Sequence, residues 1–261
     1  FPCAAYTAPM LPALYPHQLA ARDRALSRGG SLALFHDPGL GKTRTCLDLY
    51  AALKTTTPTL KLLVVCPLSI IDAAWGADIA KFTLFRWCAL KRYDCTADLF
   101  IVNYETLIRS TGQRLLQESG LLTNPLMLVV DESSRLRDPR SLTTKMILAL
   151  AERCQYRIVC SGTPAPNGLH ELYSQVRVVD PTSVPRSFYT WRRDWFHLTR
   201  NGRTLAEPPP SRQAMQTLFQ SGWQWSITAA KRDQLLARIA PICHWVKKAD
   251  ALQLPERITT I

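Results

Sequence analysis

Five short runs of this chain are almost wholly apolar and rich in β-branched residues: 31–35, 60–66, 99–103, 126–130 and 156–160. Between them lie stretches with helical spacing, at 43–54, 69–82, 106–118 and 142–153. A strand with one wet face alternates apolar and polar residues, so a continuously apolar strand must be covered on both faces. Strands of that kind alternating with helices predict an α/β chain, a mainly parallel sheet with helices on both sides. In such sheets ligands bind beyond the carboxyl ends of the strands.

After Asp180-Pro181 the alternation stops. Residues 182–248 carry aromatic-basic segments such as Trp191-Arg192-Arg193-Asp194-Trp195-Phe196-His197. A turn is predicted at 200–203 and a helix at 231–239, which gives a mostly helical C-terminal extension packed on the sheet. Pro208-Pro209-Pro210 is the only compact low-complexity run, and no internal repeat is visible. The expected division is therefore 1–180 and 181–261.

At 261 residues, 47% apolar and 20% charged, the composition is that of a globular protein and not of a disordered one. A formal charge of +12 points to a polyanionic partner, with nucleic acid the leading candidate. Eight cysteines are scattered, without a CxxC pair or a His/Cys set at zinc spacing. Reduced, mostly buried thiols and no structural metal are expected. Residues 1–16 lack a basic segment followed by an apolar core, and no apolar run is long enough to span a bilayer. The reading is a soluble intracellular chain with no membrane partner. It opens on Phe1 and not on Met, as expected of a trimmed piece.

The first apolar run leads into His36-Asp37-Pro38-Gly39-Leu40-Gly41-Lys42-Thr43 and then a helical pattern. Strand, glycine turn, Lys-Thr and helix start together form a phosphate-binding loop. The glycines let backbone N–H groups converge on an anion, and the helix N-terminus faces the same point. Lys42 is placed to reach β/γ-phosphates and Thr43 to hold Mg²⁺. His36 stands where the usual pattern has Gly.

A second site follows the fourth run, which ends in Asp131-Glu132. Carboxylates are costly inside an apolar sheet, so these two belong at its exposed carboxyl edge. There Asp131 can complete a Mg²⁺ shell, and Glu132 can orient and deprotonate an attacking water. Ser69, Asn103 and Thr106 lie just past strand ends. That place suits both helix capping and hydrogen bonds to nucleic-acid phosphates.

Taken together, these motifs resemble the first RecA-like domain of superfamily-two helicases and translocases, most closely the Swi/Snf-type ATPases. Leu14-Tyr15-Pro16-His17-Gln18 is similar to their Q-motif and Gly39 to Thr43 to motif I. Cys66-Pro67-Leu68-Ser69-Ile70-Ile71 with Trp75 is similar to motif Ia, and Asn103-Tyr104-Glu105-Thr106-Leu107 to motif Ib. Asp131-Glu132-Ser133-Ser134 is similar to motif II, with Ser134 where many relatives carry His or Asp. Ser161-Gly162-Thr163-Pro164 with Asn167 and Glu171-Leu172 is similar to motif III and its extension.

The resemblance implies ATP and Mg²⁺ as cofactors. It implies an ATP-binding set of Gln18 (reading adenine), Gly39, Leu40, Gly41, Lys42, Thr43 and Arg44. Lys42, Asp131 and Glu132 would be catalytic, with Thr43 and Asp131 on the metal. Ser161, Gly162 and Thr163 would couple hydrolysis to movement, and Pro67, Ser69, Asn103, Tyr104 and Thr106 would face DNA. The implied activity is DNA-dependent ATP hydrolysis driving translocation on duplex DNA. A strand-separating DEAD/DEAH-type helicase and a catalytically silent nucleotide-gated DNA-binding module are the other two readings.

The family's second RecA-like domain supplies arginine fingers, and residues 257–261 resemble the start of the link to it. The chain by itself is thus expected to bind nucleotide and hydrolyse it slowly. Arg135 and Arg137 suit a DNA contact or a solvated loop equally well. Trp75, Trp223, Trp225 and Trp245 are expected to be structural packing residues. The arginines around Trp191 to His197 are read first as the wet face of a helix.

Overall fold

The computed structural model describes residues 12–90, 96–118, 120–205, 209 and 211–251. The expectations for most of the opening segment, for most of the triproline run and for residues 257–261 lie outside them.

In chain order the elements are α1 (Pro16–Ser27), β1 (Leu32–His36), α2 (Lys42–Thr56), β2 (Lys61–Cys66), α3 (Ala77–Phe82), β3 (Trp87–Ala89), β4 (Leu99–Asn103), α4 (Tyr104–Leu107), α5 (Ser110–Glu118), β5 (Leu126–Asp131), α6 (Leu142–Ala151) and β6 (Tyr156–Cys160). There follow α7 (Leu172–Val179), α8 (Phe188–Trp195), β7 (His197–Arg200), β8 (Arg203–Leu205), α9 (Arg212–Gln220), β9 (Gln224–Ser226), α10 (Ala229–Ile239), β10 (Cys243–Val246) and α11 (Lys248–Ala251).

Seven strands form one parallel sheet in the order β10-β1-β6-β5-β2-β4-β3. Its strand residues divide by parity between two cores. Leu32, Leu34, Leu62, Val64, Met127, Val129 and Ile158 pack with α1 and α2. Ala33, Phe35, Leu63, Val65, Leu128, Val130 and Val159 pack with α6, α7 and α10. Burial on both faces is what makes these runs continuously apolar. Several helices start where a hydroxyl takes an orphan N–H: Ser141, Ser187, Ser211 and Thr228 cap α6, α8, α9 and α10.

Two helices expected as single pieces are broken. The 69–82 stretch becomes a 3₁₀ turn (Leu68–Ile70), a π-helical turn (Ile71–Gly76) and then α3. The wide turn carries Trp75 inward, where it is wholly buried. The 106–118 stretch divides into α4 and α5. Gly112 sits so tightly on the preceding turn that a Cβ would lie 2.1 Å from the Thr106 carbonyl oxygen.

The extension is mostly helical, as expected, and also carries a small antiparallel sheet in the order β8-β7-β9. The predicted turn at 200–203 is its hairpin, with Asn201 and Gly202 at φ +47° and +74°. The sequence did not suggest β10, which runs parallel beside β1 and pairs His36 with Val246. Trp191 is fully buried among Tyr173, Trp195 and Phe196, and Arg192 lies over the Phe188 and Trp225 rings. The aromatic-basic segment is therefore chiefly packing. Trp245 departs from expectation: it is 45% exposed at the sheet's edge, against Phe35.

Candidate functional site

The carboxyl edge of the sheet gathers the ends of β1, β2, β4, β5 and β6. The β1 end turns at Gly39 and Gly41, with φ +86° and +70°, and α2 begins at Lys42. Only glycine takes these dihedrals without steric cost. Gly41 has a second constraint, since a Cβ there would lie 2.2 Å from Gln18 Nε2. Gln18 is buried and fixed at both ends of its amide: Oε1 accepts from Tyr15 N (3.0 Å) and Nε2 donates to the Leu40 carbonyl (3.2 Å). His17 Nε2 meets the same carbonyl at 2.9 Å. The Q-motif segment thus shapes the loop from below.

Lys42 Nζ donates to the His36 carbonyl at 2.9 Å and lies 3.5 Å from that of Asp37. Thr43 is partly exposed in the first turn of α2. Arg44 is engaged elsewhere: it donates to the Phe82 and Pro12 carbonyls and stacks 4.4 Å from the Phe82 ring. His36 is fully buried, its Nε2 2.8 Å from His244 Nδ1 on β10. Asp37 ties the loop to the same region, its N–H donating to the Val246 carbonyl and its carboxylate accepting from Lys248 N.

Asp131 ends β5 and is buried. Its Oδ2 accepts from Trp75 Nε1 and its Oδ1 from Glu132 N, both at 2.9 Å, while the Tyr104 hydroxyl donates to its carbonyl at 2.6 Å. Burial raises the Asp131 carboxyl above its ordinary range, opposed by the Trp75 and Glu132 bonds and by Lys42. Burial and the neighbouring Asp131 raise Glu132 as well. Glu132 also occupies the left-handed region, at φ +54° and ψ +49°. A β-carbon is disfavoured there, and such strain concentrates at functional sites.

The turn after β6 packs on the phosphate loop. Ser161 N donates to the Leu34 carbonyl, its hydroxyl accepts from Thr163 N, and a Cβ at Gly162 would lie 2.9 Å from Pro38 Cδ. Thr163 is exposed. Asn167 donates twice to the Glu171 carboxylate, which closes the turn onto α7. Sequence reasoning missed Gln175. It is fully buried, with Oε1 accepting from Ser133 Oγ (2.7 Å) and Nε2 donating to Pro164 O (2.6 Å). A lone amide among Leu172, Tyr173, Val176 and Val178 was the available signal.

The remaining residues sort by exposure. Ser69 is exposed and makes no cap, whereas Asn103 caps α4 by accepting from Thr106 N at 3.0 Å. Pro67, Asn103 and Thr106 are partly exposed along this edge. Tyr104 is a correction: only 2% of it is exposed and its hydroxyl is spent on the Asp131 carbonyl, so it offers no surface to DNA. Trp75 is indeed buried, yet it is also the donor that fixes Asp131. Arg135 is paired with Glu105 at 2.8 Å and lies over the Tyr104 ring. Cys46, Cys66, Cys154, Cys160 and Cys243 are buried thiols outside any disulfide.

Nothing lies within 4 Å of a Cβ built on Gly39, so there is open space beside the loop at that point. Lys42 is close enough to act on both acids electrostatically. Each Asp131 oxygen takes one protein donor, which leaves acceptor capacity on the carboxylate. These features fit a magnesium-bound triphosphate.

A parallel sheet with a glycine-lysine-threonine loop on one strand and an acid pair on another defines the RecA-like P-loop class. The chain matches the SNF2-related domain over residues 19–244 and belongs to that family. Its fold is similar to the Sulfolobus solfataricus SWI2/SNF2 ATPase core in complex with dsDNA, with TM-score 0.67 and 22% identity over 92% of this chain and 45% of that one. It is 31% identical over 171 residues to a SWI/SNF-related matrix-associated actin-dependent regulator of chromatin subfamily A-like protein 1 homolog from Caenorhabditis elegans. That match covers 64% of this chain and 24% of the relative. It is 30% identical to the DNA repair and recombination protein RAD54B of Gallus gallus, over 65% of this chain and 19% of the relative. The chain thus spans about a quarter or less of these curated relatives. Among the described residues no helix is long and apolar enough to cross a membrane.

Proposed function

We propose that this chain is the ATP-binding half of a DNA-dependent ATPase that moves along duplex DNA. The observation that carries the reading is that the glycine-lysine loop after β1 and the Asp131-Glu132 end of β5 share one sheet edge, with Lys42 near enough to act on both acids electrostatically and Glu132 held in a strained backbone conformation. When bound, ATP with Mg²⁺ supplies the transferable phosphoryl group and a charge-neutralising cation. Thr43 and Asp131 would hold the cation, while Gly39, Leu40, Gly41 and Lys42 would line the phosphates. Gln18 would shape the loop from the adenine side, and Arg44 would brace α2 against α3. The Glu132 carboxylate would take a proton from the attacking water, and burial beside Asp131, which raises it above its ordinary range, makes it a stronger base for that step.

Pro67, Ser69, Asn103 and Thr106 form the proposed DNA edge. Tyr104 would stand behind it as a support for β5. Ser161, Gly162 and Thr163 would sense the phosphate end of the nucleotide. We further propose residues 1–180, closed by β10, as the nucleotide lobe and the rest of 181–261 as a brace leading to a second RecA-like lobe. An arginine finger from such a lobe is worth about 10³–10⁵ in rate, so this chain alone should bind ATP and turn it over slowly.

An ATPase titration with duplex DNA, single-stranded DNA and RNA tests the proposal, using this chain joined to a second RecA-like domain and a Glu132→Gln control. Duplex DNA should stimulate most, the effect should weaken steeply with salt, and the control should bind ATP without turnover. Equal rates with and without every nucleic acid would overturn the motor reading.

A further inference from the structure

The motif II segment carries Ser134 where the resemblance expects His or Asp, which leaves open how the acid pair communicates with the turn after β6. Ser134 makes no side-chain hydrogen bond among the described residues. Its neighbour Ser133 does. Ser133 is wholly buried and donates to Gln175 Oε1 at 2.7 Å. The Gln175 amide then donates to Pro164 O at 2.6 Å and to Glu171 O at 3.3 Å. One side chain thereby joins the hydroxyl of the residue after Glu132, the backbone of the turn after β6, and the backbone of the residue that precedes α7.

The placement is costly without a purpose. Leu172, Tyr173, Val176, Val178 and Val179 are all buried around Gln175, and an amide there is tolerated only when its bonds are made. A leucine would fit such a face with no polar debt. Both serine and glutamine are shielded from water, so no solvent molecule can stand in for a broken bond, and each bond is strengthened by its apolar surroundings. The turn it grips also touches the phosphate loop through Gly162 and Pro38. A displacement at Asp131-Glu132 therefore has a rigid path to Pro164, one residue beyond Thr163.

We propose that Gln175 is a positioning residue that transmits the state of the acid pair to the Ser161–Pro164 turn, with Ser133 as its input and the Pro164 carbonyl as its output. This rests on the nucleotide reading above. The relay uses the position before Ser134, so the missing His or Asp is replaced and not merely lost.

Amide hydrogen exchange by mass spectrometry tests it on the 261-residue chain, with ATPγS and Mg²⁺ present or absent. In the wild type, nucleotide should slow exchange both in the phosphate loop (37–45) and in the turn (161–168). In Gln175→Leu and in Ser133→Ala the loop should keep its protection, while the nucleotide-induced slowing of the turn should fall about tenfold. The double variant should lose no more than either single one, because both sit on one path. Ser133→Ala keeps the Gln175 bond to Pro164, so it serves even where Gln175→Leu folds poorly. A merely structural bond would loosen the turn equally with and without nucleotide; an unchanged ratio in the variants overturns the relay alone. A wild-type turn that does not respond while the loop does has the same meaning. No protection of the wild-type loop overturns the nucleotide reading and the relay with it.

Discussion

Glu132 carries two costs at once, a left-handed backbone and a carboxylate raised by burial and by Asp131. A β-carbon in that region costs roughly 1–2 kcal/mol, so Glu132→Gly should be more stable than Glu132→Ala by about 1 kcal/mol. Denaturant melts of the two variants decide this, and equal midpoints would remove the strain argument. Trp75 offers the second residue-scale prediction. Trp75→Phe keeps an aromatic ring but removes the donor to Asp131 Oδ2. Leaving a buried acceptor unpaired costs about 1–3 kcal/mol, so the melting temperature should fall. Nucleotide affinity should drop several-fold with Mg²⁺ and change little without it, measured by calorimetry in magnesium and in chelator. At this scale the sequence announced the acids, the lysine and the glycines, since their types have few other uses in that pattern. It did not announce Gln175 or the bond from Trp75 to Asp131, because a tryptophan or an amide near a core is ordinary until its partner is known.

At the scale of elements, β10 does what no local pattern foretold. It covers β1, the strand that feeds the phosphate loop, and Asp37 meets both Val246 O and Lys248 N just beyond it. A chain ending at residue 240 would leave β1 as an exposed apolar edge. We expect that version to lose nucleotide binding, melt earlier and scatter light on warming; full solubility with wild-type affinity would show that β10 is dispensable. The broken helix at 68–82 makes a similar point. Its apolar spacing is helical throughout, yet a π turn is needed to bring Trp75 within reach of Asp131. Single-chain periodicity cannot report a hydrogen bond to a residue fifty-six positions away.

For the whole molecule, the histidines set how stability responds to acid. Burial, with His244, His17 and Lys42 nearby, pushes His36 down to about 3 from an ordinary 6.5. The unfolded chain then accepts a proton that the folded chain refuses. Stability from this group is therefore full above about pH 6.5 and declines as pH falls toward 3, by roughly 1.36 kcal/mol per unit within that window. His244 and His170, also lowered by burial, act in the same direction. Asp131 and Glu132 act oppositely, since protonation relieves a raised buried carboxyl as the pH drops through its folded value. The His36 contribution spans the range from pH 6.5 to 5. The melting temperature should fall across that range, and His36→Gln should flatten the slope; an unchanged slope would mean that His36 does not control it.

The sequence by itself determined the sheet and the chemistry it carries. Continuous apolar runs demand burial on both faces, and Gly39, Gly41, Lys42, Asp131 and Glu132 are residue types that few other arrangements can use together. Tertiary structure alone decided the sheet's strand order, the addition of β10, the burial of Tyr104 under Asp131 and the joining of Ser133 to Pro164 through Gln175. The reason is physical. Local patterns record which face of a segment avoids water, whereas long-range contacts depend on which segments meet, and an amide or an indole reveals its role only when its hydrogen-bond partner arrives.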